Sequence, residues 1–290
     1  MQALFLTLPA YYSILHAIQI KLVWELAVLM PYLLLTLTVL FWSGNFVLGR
    51  GVYDVIPPLA FSFWRWSVAL LILLPFALKP LIAQWYLIRK HWKILSLLGI
   101  LSVTVFNSCI YIAVHSTTAI NTLMVNSMTP VFIAIIAWAV FKDNISLRQF
   151  FGIILSFFGL AWIIFRGRPE ALLSIQFARG DLWTLTAGIS WAVYTVILRK
   201  RPAQLHPLGF LAAIIALGVF FLFPFYIWET LSGARLRLTM VSVGSIAYTA
   251  IFPSVLAYVF WNRAVEDVGA TKAGVFIHLM PVFGIIMAII

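Results

Sequence analysis

The sequence predicts an all-α polytopic membrane protein built as an inverted repeat of five-helix bundles, with nine spans visible. Three observations predict it. Of 290 residues, 64% are hydrophobic and 9% charged, and the mean hydropathy is +1.07. A water-soluble domain so composed lacks the polar residues to cover its surface. The apolar residues fall in runs of about twenty, the length an α-helix needs to cross hydrocarbon. One block also occurs twice: Ala113-Val114 leads to Pro130-Val131-Phe132, and Ala264-Val265 leads, at the same interval, to Pro281-Val282-Phe283. Ala119 matches Ala270, and Ile135 and Ala137 match Ile286 and Ala288.

The spans follow in order. Tyr32–Leu48 runs up to Arg50, and Leu59–Leu78 ends at Lys79. Ile94–Val114 follows the basic cluster Arg89, Lys90 and Lys93. Ile120–Phe141 ends at Lys142-Asp143, and Gln149–Phe165 lies between Arg148 and Arg166. Leu182–Leu198 lies between Asp181 and Arg199-Lys200-Arg201, and Leu208–Trp228 stops at Glu229. Val241–Trp261 runs into Arg263, and Ala273–Ile290 follows Lys272. Most connections are short, so neighbours run antiparallel. Trp85, Trp92, Trp183 and Trp228 flank spans, where indole rings sit at headgroup level. Residues 1–30 form an N-terminal extension. Its run Leu4–Ile20 is short and interrupted by Lys21 and Glu25, which suits a surface helix or an added span; Met30 is an alternative start.

Basic residues orient the chain. Those on the side of Lys79, Arg89, Lys142, Arg199 and Lys272 are twice as many as those on the side of Arg50, Arg166, Arg179 and Arg235, which places the first side in the cytoplasm. The net charge of +11 lies mostly in these loops. It therefore suits lipid headgroups and leaves no basic face for nucleic acid. The single Cys109 excludes an internal disulfide and a thiolate zinc cluster. Nothing calls for a cofactor.

The repeat extends further. Trp42, Val47 and Arg50 in the first span align with Trp191, Val196 and Arg199 in the sixth. An odd number of spans per copy inverts the second copy, an architecture of secondary transporters that hold substrate between the copies. The chain resembles the EamA family of the drug/metabolite transporter superfamily. The resembling residues are Trp42-Ser43-Gly44-Asn45-Phe46, Phe63-Trp64-Arg65-Trp66, Asn121 through Pro130-Val131-Phe132, Gly152 to Gly159, Gly180-Asp181-Leu182, Ala257-Tyr258, Trp261-Asn262-Arg263-Ala264 and Pro281-Val282-Phe283. The resemblance implies repeats over residues 31–168 and 180–290. It also implies ten helices, cytoplasmic termini, and a central cavity lined by the first four helices of each half. The sequence stops inside or just after the ninth span, so the tenth helix is expected to be missing and the second half to be less stable.

Residue chemistry narrows the function. All eight acidic residues lie outside or at the ends of spans. A proton-coupled exporter of cationic drugs needs a membrane-embedded carboxylate, as the related small multidrug resistance proteins have in helix one; here that span offers Ser43 and Asn45. The same absence, with no paired His or Ser/His/Asp cluster, argues against an enzyme. Candidate substrate-binding residues are Trp42, Asn45, Arg65, Asn107, Asn126, Trp191, Tyr194, Tyr258 and Asn262, with Asn121, Thr129 and Ser254 beside them. Amides, hydroxyls and aromatic walls suit amino acids or other small metabolites; the same groups also make plain interhelical hydrogen bonds.

Arg65 reads either as an anchor for a carboxylate or phosphate, or as a side chain snorkelling to the outer interface or bonded to backbone. Arg263 beside Glu266 and Asp267 reads as a topology charge, a gate or a helix-end ion pair. His278 matches Ser127 of the other copy and reads as a proton carrier or an interhelical hydrogen bond. Pro130 and Pro281 read as symmetric hinges or fixed bends. Gly152, Ser156 and Gly159 predict close helix contact. The expected function is secondary transport, in the outward direction, of a small metabolite such as an amino acid across the cell inner membrane. The alternatives are a non-transporting remnant and a membrane enzyme acting on lipid-linked substrates, which would involve His115 and His278.

Overall fold

The structure, a computed structural model, describes residues 7–117, 122, 125–144, 146–164 and 178–289. Among them every regular element is helical. Helix α1 is Thr7–Gly51, α2 is Pro58–Ala83 and the short α3 is Trp85–Lys90. Then come α4 (Trp92–Ser116), α5 (Thr129–Phe141), α6 (Leu147–Ile164), α7 (Arg179–Lys200), α8 (Pro207–Leu231), α9 (Met240–Val268) and α10 (Ala270–Met287). Seven helices are long and apolar enough to cross a bilayer: the Val28–Gly51 part of α1, then α2, α4, α7, α8, α9 and α10. The chain is a multi-pass membrane protein.

The fourth and fifth predicted spans appear as shorter apolar helices, Thr129–Phe141 and Leu147–Gly159. The fourth is shortened because a turn at Ser127-Met128 interrupts the helix. Pro130 therefore stands in the first turn of α5, where its missing N–H has no helical partner to lose. Pro281 is placed alike: α10 opens with Ala270–Val275, passes a 3-10 turn over Phe276–Leu279 and resumes as α-helix at Met280. The N-terminal extension is continuous with the first span, since α1 runs 45 residues with Pro31 inside it. Asn121, Arg166 and Arg168 lie outside the described residues.

The packing interleaves the two ends of the sequence. Helix α2 lies along α8, while α1 packs on α10 and on the second part of α9. In the reciprocal arrangement, α7 packs on α5 and on the second part of α4. Helices α4 and α8 touch at glycines. A Cβ on Gly99 would stand 2.5 Å from the Ile214 carbonyl, and one on Gly218 would stand 2.5 Å from the Val103 Cβ. At Gly152 and Gly159 a Cβ would meet nothing within 4 Å, so no backbone approach as tight as that between α4 and α8 is described there.

Two helices widen at matched places. Helix α4 is π-helical over Ile100–Val105 and α9 over Ala250–Leu256. In α9, Pro253 lacks the N–H that an α-turn needs. In both, a side chain five residues on reaches a carbonyl: Asn107 Nδ2 donates to Ser102 O (2.8 Å) and Ser254 Oγ to Thr249 O (2.7 Å).

Glu229, at the end of α8, is buried and accepts the backbone N–H groups of Leu59 (3.0 Å) and Ala60 (2.7 Å). These are orphan donors of the first turn of α2, and an anion there is favoured by the helix dipole. Across the bundle, Gln84 Oε1 accepts from His206 N (2.8 Å) just before α8. Glu229→Ala should therefore destabilise the fold by about 1–2 kcal/mol, the usual cost of losing a helix cap. A falling melting temperature in detergent, with Glu229→Gln between the two, is the expected reading. Gly218→Leu should abolish the α4–α8 contact and leave little folded protein. Gly244→Leu, where a Cβ meets nothing within 4 Å, should elute on size exclusion like the parent.

A candidate functional site at the centre of the bundle

The middle of the bundle is aromatic. Trp42 of α1 meets Trp191 of α7 edge to face, with ring centroids 4.8 Å apart. Trp261 lies 5.1 Å from Trp42 and Tyr258 lies 5.4 Å from Trp191. Such tilted pairs contribute about 0.5–1.5 kcal/mol each beyond the area they bury. Trp66 joins through Tyr258 at 4.9 Å, while its neighbour Trp64 is exposed. Against this cluster lies a small cleft lined by Trp42, Asn45, Phe46, Phe106, Asn107, Asn126, Trp191, Tyr258, Ile277 and Met280. Its volume is about 10 Å³, room for about one water. The solute-sized chamber expected from the sequence is not found here among the described residues, because the tryptophans from both halves fill the place.

One wall of the cleft is organised by Arg65. This side chain is 1% exposed, so it does not snorkel. Its Nη1 donates to Asn45 Oδ1 (3.0 Å), Asn107 Oδ1 (2.9 Å) and Tyr111 Oη (2.6 Å). Its Nε and Nη2 both donate to Ser254 Oγ, at 3.0 and 2.7 Å. Tyr111 Oη in turn donates to Asn45 Oδ1 (2.7 Å). All these acceptors are neutral; no described carboxylate forms an ion pair with Arg65. The π segments make this meeting possible, since Asn107 follows one of them and Ser254 lies within the other.

The predicted residues separate into two groups. Trp42, Asn45, Asn107, Asn126, Trp191 and Tyr258 line the cleft, and Arg65 stands directly behind Asn45 and Asn107. Tyr194 and Asn262 are buried but bonded to one another (2.6 Å), outside the lining. Trp42 Nε1 donates to Pro253 O (3.1 Å), and Asn126 Nδ2 approaches the Met280 sulfur at 3.7 Å. His278 Nε2 lies 2.9 Å from the Ser127 carbonyl, so the interhelical bond is the geometry found. Arg263 pairs with Asp267 one turn on (3.0 Å). Sequence reasoning missed Phe46, Phe106, Ile277, Met280 and, above all, Tyr111. The repeat carried the signal for Tyr111: the offset that takes Ala113 to Ala264 takes Tyr111 to Asn262.

At the opposite end, Arg199 pairs with Asp143 (2.5 Å) and Arg201 with Glu266. A polar pocket of about 250 Å³ beside them is lined by Asp143, Arg199, Thr271 and Lys272, among others.

Comparison with known proteins agrees with this architecture. The model of the EamA-like transporter family matches residues 29–165 and 178–290. The chain is 26% identical over 257 residues to the uncharacterized transporter YyaM of Bacillus subtilis (strain 168), covering 89% of this chain and 84% of that one. It is 30% identical over 267 residues to an uncharacterized transporter of Archaeoglobus fulgidus, covering 89% and 87%. A solved crystal structure of a protein superposes with a TM-score of 0.71 at 15% identity, covering 89% of this chain and 87% of that chain, which speaks to the fold alone. With two stretches covering most of the chain matched by the family model, and with relatives named uncharacterized transporters, this multi-pass membrane protein belongs to the EamA-like transporter family.

Proposed function

We propose that the protein is a secondary carrier of the cell inner membrane. It moves a small metabolite, of amino-acid size, outward by alternating access between two inverted halves. The observation that carries this reading is the meeting of repeat-matched residues at the aromatic and amide cleft. Trp42 touches Trp191, and His278 bonds the carbonyl of Ser127. A residue meets its own copy only near the axis that relates the copies. The Asn45–Tyr111 bond has a counterpart in Tyr194–Asn262, with residue types exchanged. The reciprocal packing of α1 on α9 and α10, and of α7 on α4 and α5, supports the same symmetry.

Transport from this arrangement requires one end to open. The end held by Arg65 and Ser254 is buried. The end held by Arg199 and Asp143 has side chains 42% and 35% exposed, and such pairs contribute about 0–1 kcal/mol. The second end is therefore the easier to part. It is the side richer in Lys and Arg, whose bias supports a cytoplasmic position, and it holds the polar pocket, which favours loading from inside. Pro130 and Pro281, each at the start of a helical segment after a tight turn, are the proposed hinges.

The test is counterflow in proteoliposomes against a panel of amino acids, nucleosides, organic acids and cationic drugs. Saturable exchange of at least one class is expected; exchange of none overturns the carrier reading. Pro281→Ala should slow exchange roughly tenfold, about 1.4 kcal/mol on the rearrangement barrier, with substrate affinity unchanged. Equal loss of affinity would remove the hinge role.

A further inference from the structure

We infer that the cleft binds an organic anion, gripping a carboxylate with donors at the Arg65 wall and covering an apolar or aromatic body with the tryptophans. This deepens the carrier reading and rests on it for placing the cleft on a transport path.

The inference comes from hydrogen-bond polarity. Arginine only donates, so the Asn45 and Asn107 oxygens must both face Arg65. Their NH₂ groups then point elsewhere. That of Asn107 is spent on Ser102 O. That of Asn45, a cleft residue, donates to nothing among the described residues. Trp191 also lines the cleft, is 1% exposed, and has a buried indole N–H with no partner. The indole N–H groups of Trp66 and Trp261, in the same cluster, are likewise unpartnered. A buried donor without an acceptor is costly, and several together are unusual for a plain core.

Acceptors are fewer at the same place: among the lining side chains, the Asn126 amide oxygen alone accepts from nothing among the described residues. No carboxylate lines the cleft. The Tyr111 hydroxyl accepts from Arg65 and donates to Asn45, and the Tyr258 hydroxyl donates to Ser102 O. An incoming ammonium would find a like charge nearby and few lone pairs. Indole faces attract cations, but here a guanidinium already lies 5.0 Å from the Trp66 ring. A carboxylate brings about four lone-pair sites to a positive, donor-rich wall. The polarity is also one-sided. The offset that takes Trp42 to Trp191 takes Arg65 to Ile214, and the offset that takes Ala113 to Ala264 pairs Val103 with Ser254; both matched residues are apolar, so a bound anion has one preferred direction, with its head toward the start of α2.

The experiment uses matched sets sharing one body: 3-phenylpropionate, 3-phenylpropionamide and 3-phenylpropylamine, with the corresponding 4-methylpentanoate set. Binding to purified protein is read by tryptophan fluorescence and thermal shift, and flux by proteoliposome exchange. At least one carboxylate should bind about tenfold or more tighter than its amide and amine. Asn45→Asp supplies Arg65 with its own carboxylate; it should fold and lose the preference. Trp191→Phe keeps a ring, removes the donor, and should weaken carboxylate binding severalfold while sparing the amide. No preference in either set, tighter binding of the amine, or a preference surviving both substitutions overturns the inference. Carboxylate-selective binding without flux sustains it and overturns the carrier reading instead.

Discussion

A single buried cation sets the geometry around the cleft. Taking a guanidinium out of water costs several kcal/mol. Hydrogen bonds to a charged group contribute about 1.5–3 kcal/mol each, so Arg65 is tolerable only if most of its donors are met. Meeting them without a carboxylate requires Asn45 from α1, Asn107 and Tyr111 from α4, and Ser254 from α9 to converge on α2. That requirement fixes the rotation of four helices at once. The π segments are part of the same constraint, since an added residue in one turn aims Asn107 and Ser254 inward while each side chain satisfies a carbonyl five residues back.

The aromatic cluster then does two things. It seals the middle of the bundle, because rings from α1, α7 and α9 tilt against one another at about 5 Å. It also leaves indole donors facing few acceptors. An apolar plug of leucines would seal equally well but would carry no polarity to recognise a solute. The close glycine contact between α4 and α8 lets the two halves approach at backbone distance, which positions the rings to meet.

Much of this was legible beforehand. Hydropathy located the long helices, and the repeated Pro-Val-Phe block with Trp42 and Trp191 pointed to the residues at the centre. Periodicity could not reveal the π segments, because one extra residue in a turn leaves no mark in an apolar run. The break before Pro130 did leave a mark, the polar run Asn126-Ser127-Met128-Thr129, but such residues at membrane depth serve equally as cavity lining or interhelical bonds, so the run did not specify a turn. Gly152 and Gly159 signalled a packing surface, but small side chains permit contact without specifying a neighbour. Arg65 was visible as a charge at membrane depth; whether it faces water, lipid or amides depends on helices distant in sequence. The filling of the centre by tryptophan rings depends on how distant helices pack and has no sequence signature.

The exchanged pair Asn45–Tyr111 and Tyr194–Asn262 has a consequence for how such a molecule acquires direction. Two identical subunits assembled head to tail would have to present the same residues to both faces of the membrane. Fusing the copies into one polypeptide releases that obligation, so each can drift separately while the fold they share is kept. Under the inverted-repeat reading, Arg65 opposite Ile214 is that freedom put to use: a vectorial bias written into an ancestrally even-handed scaffold.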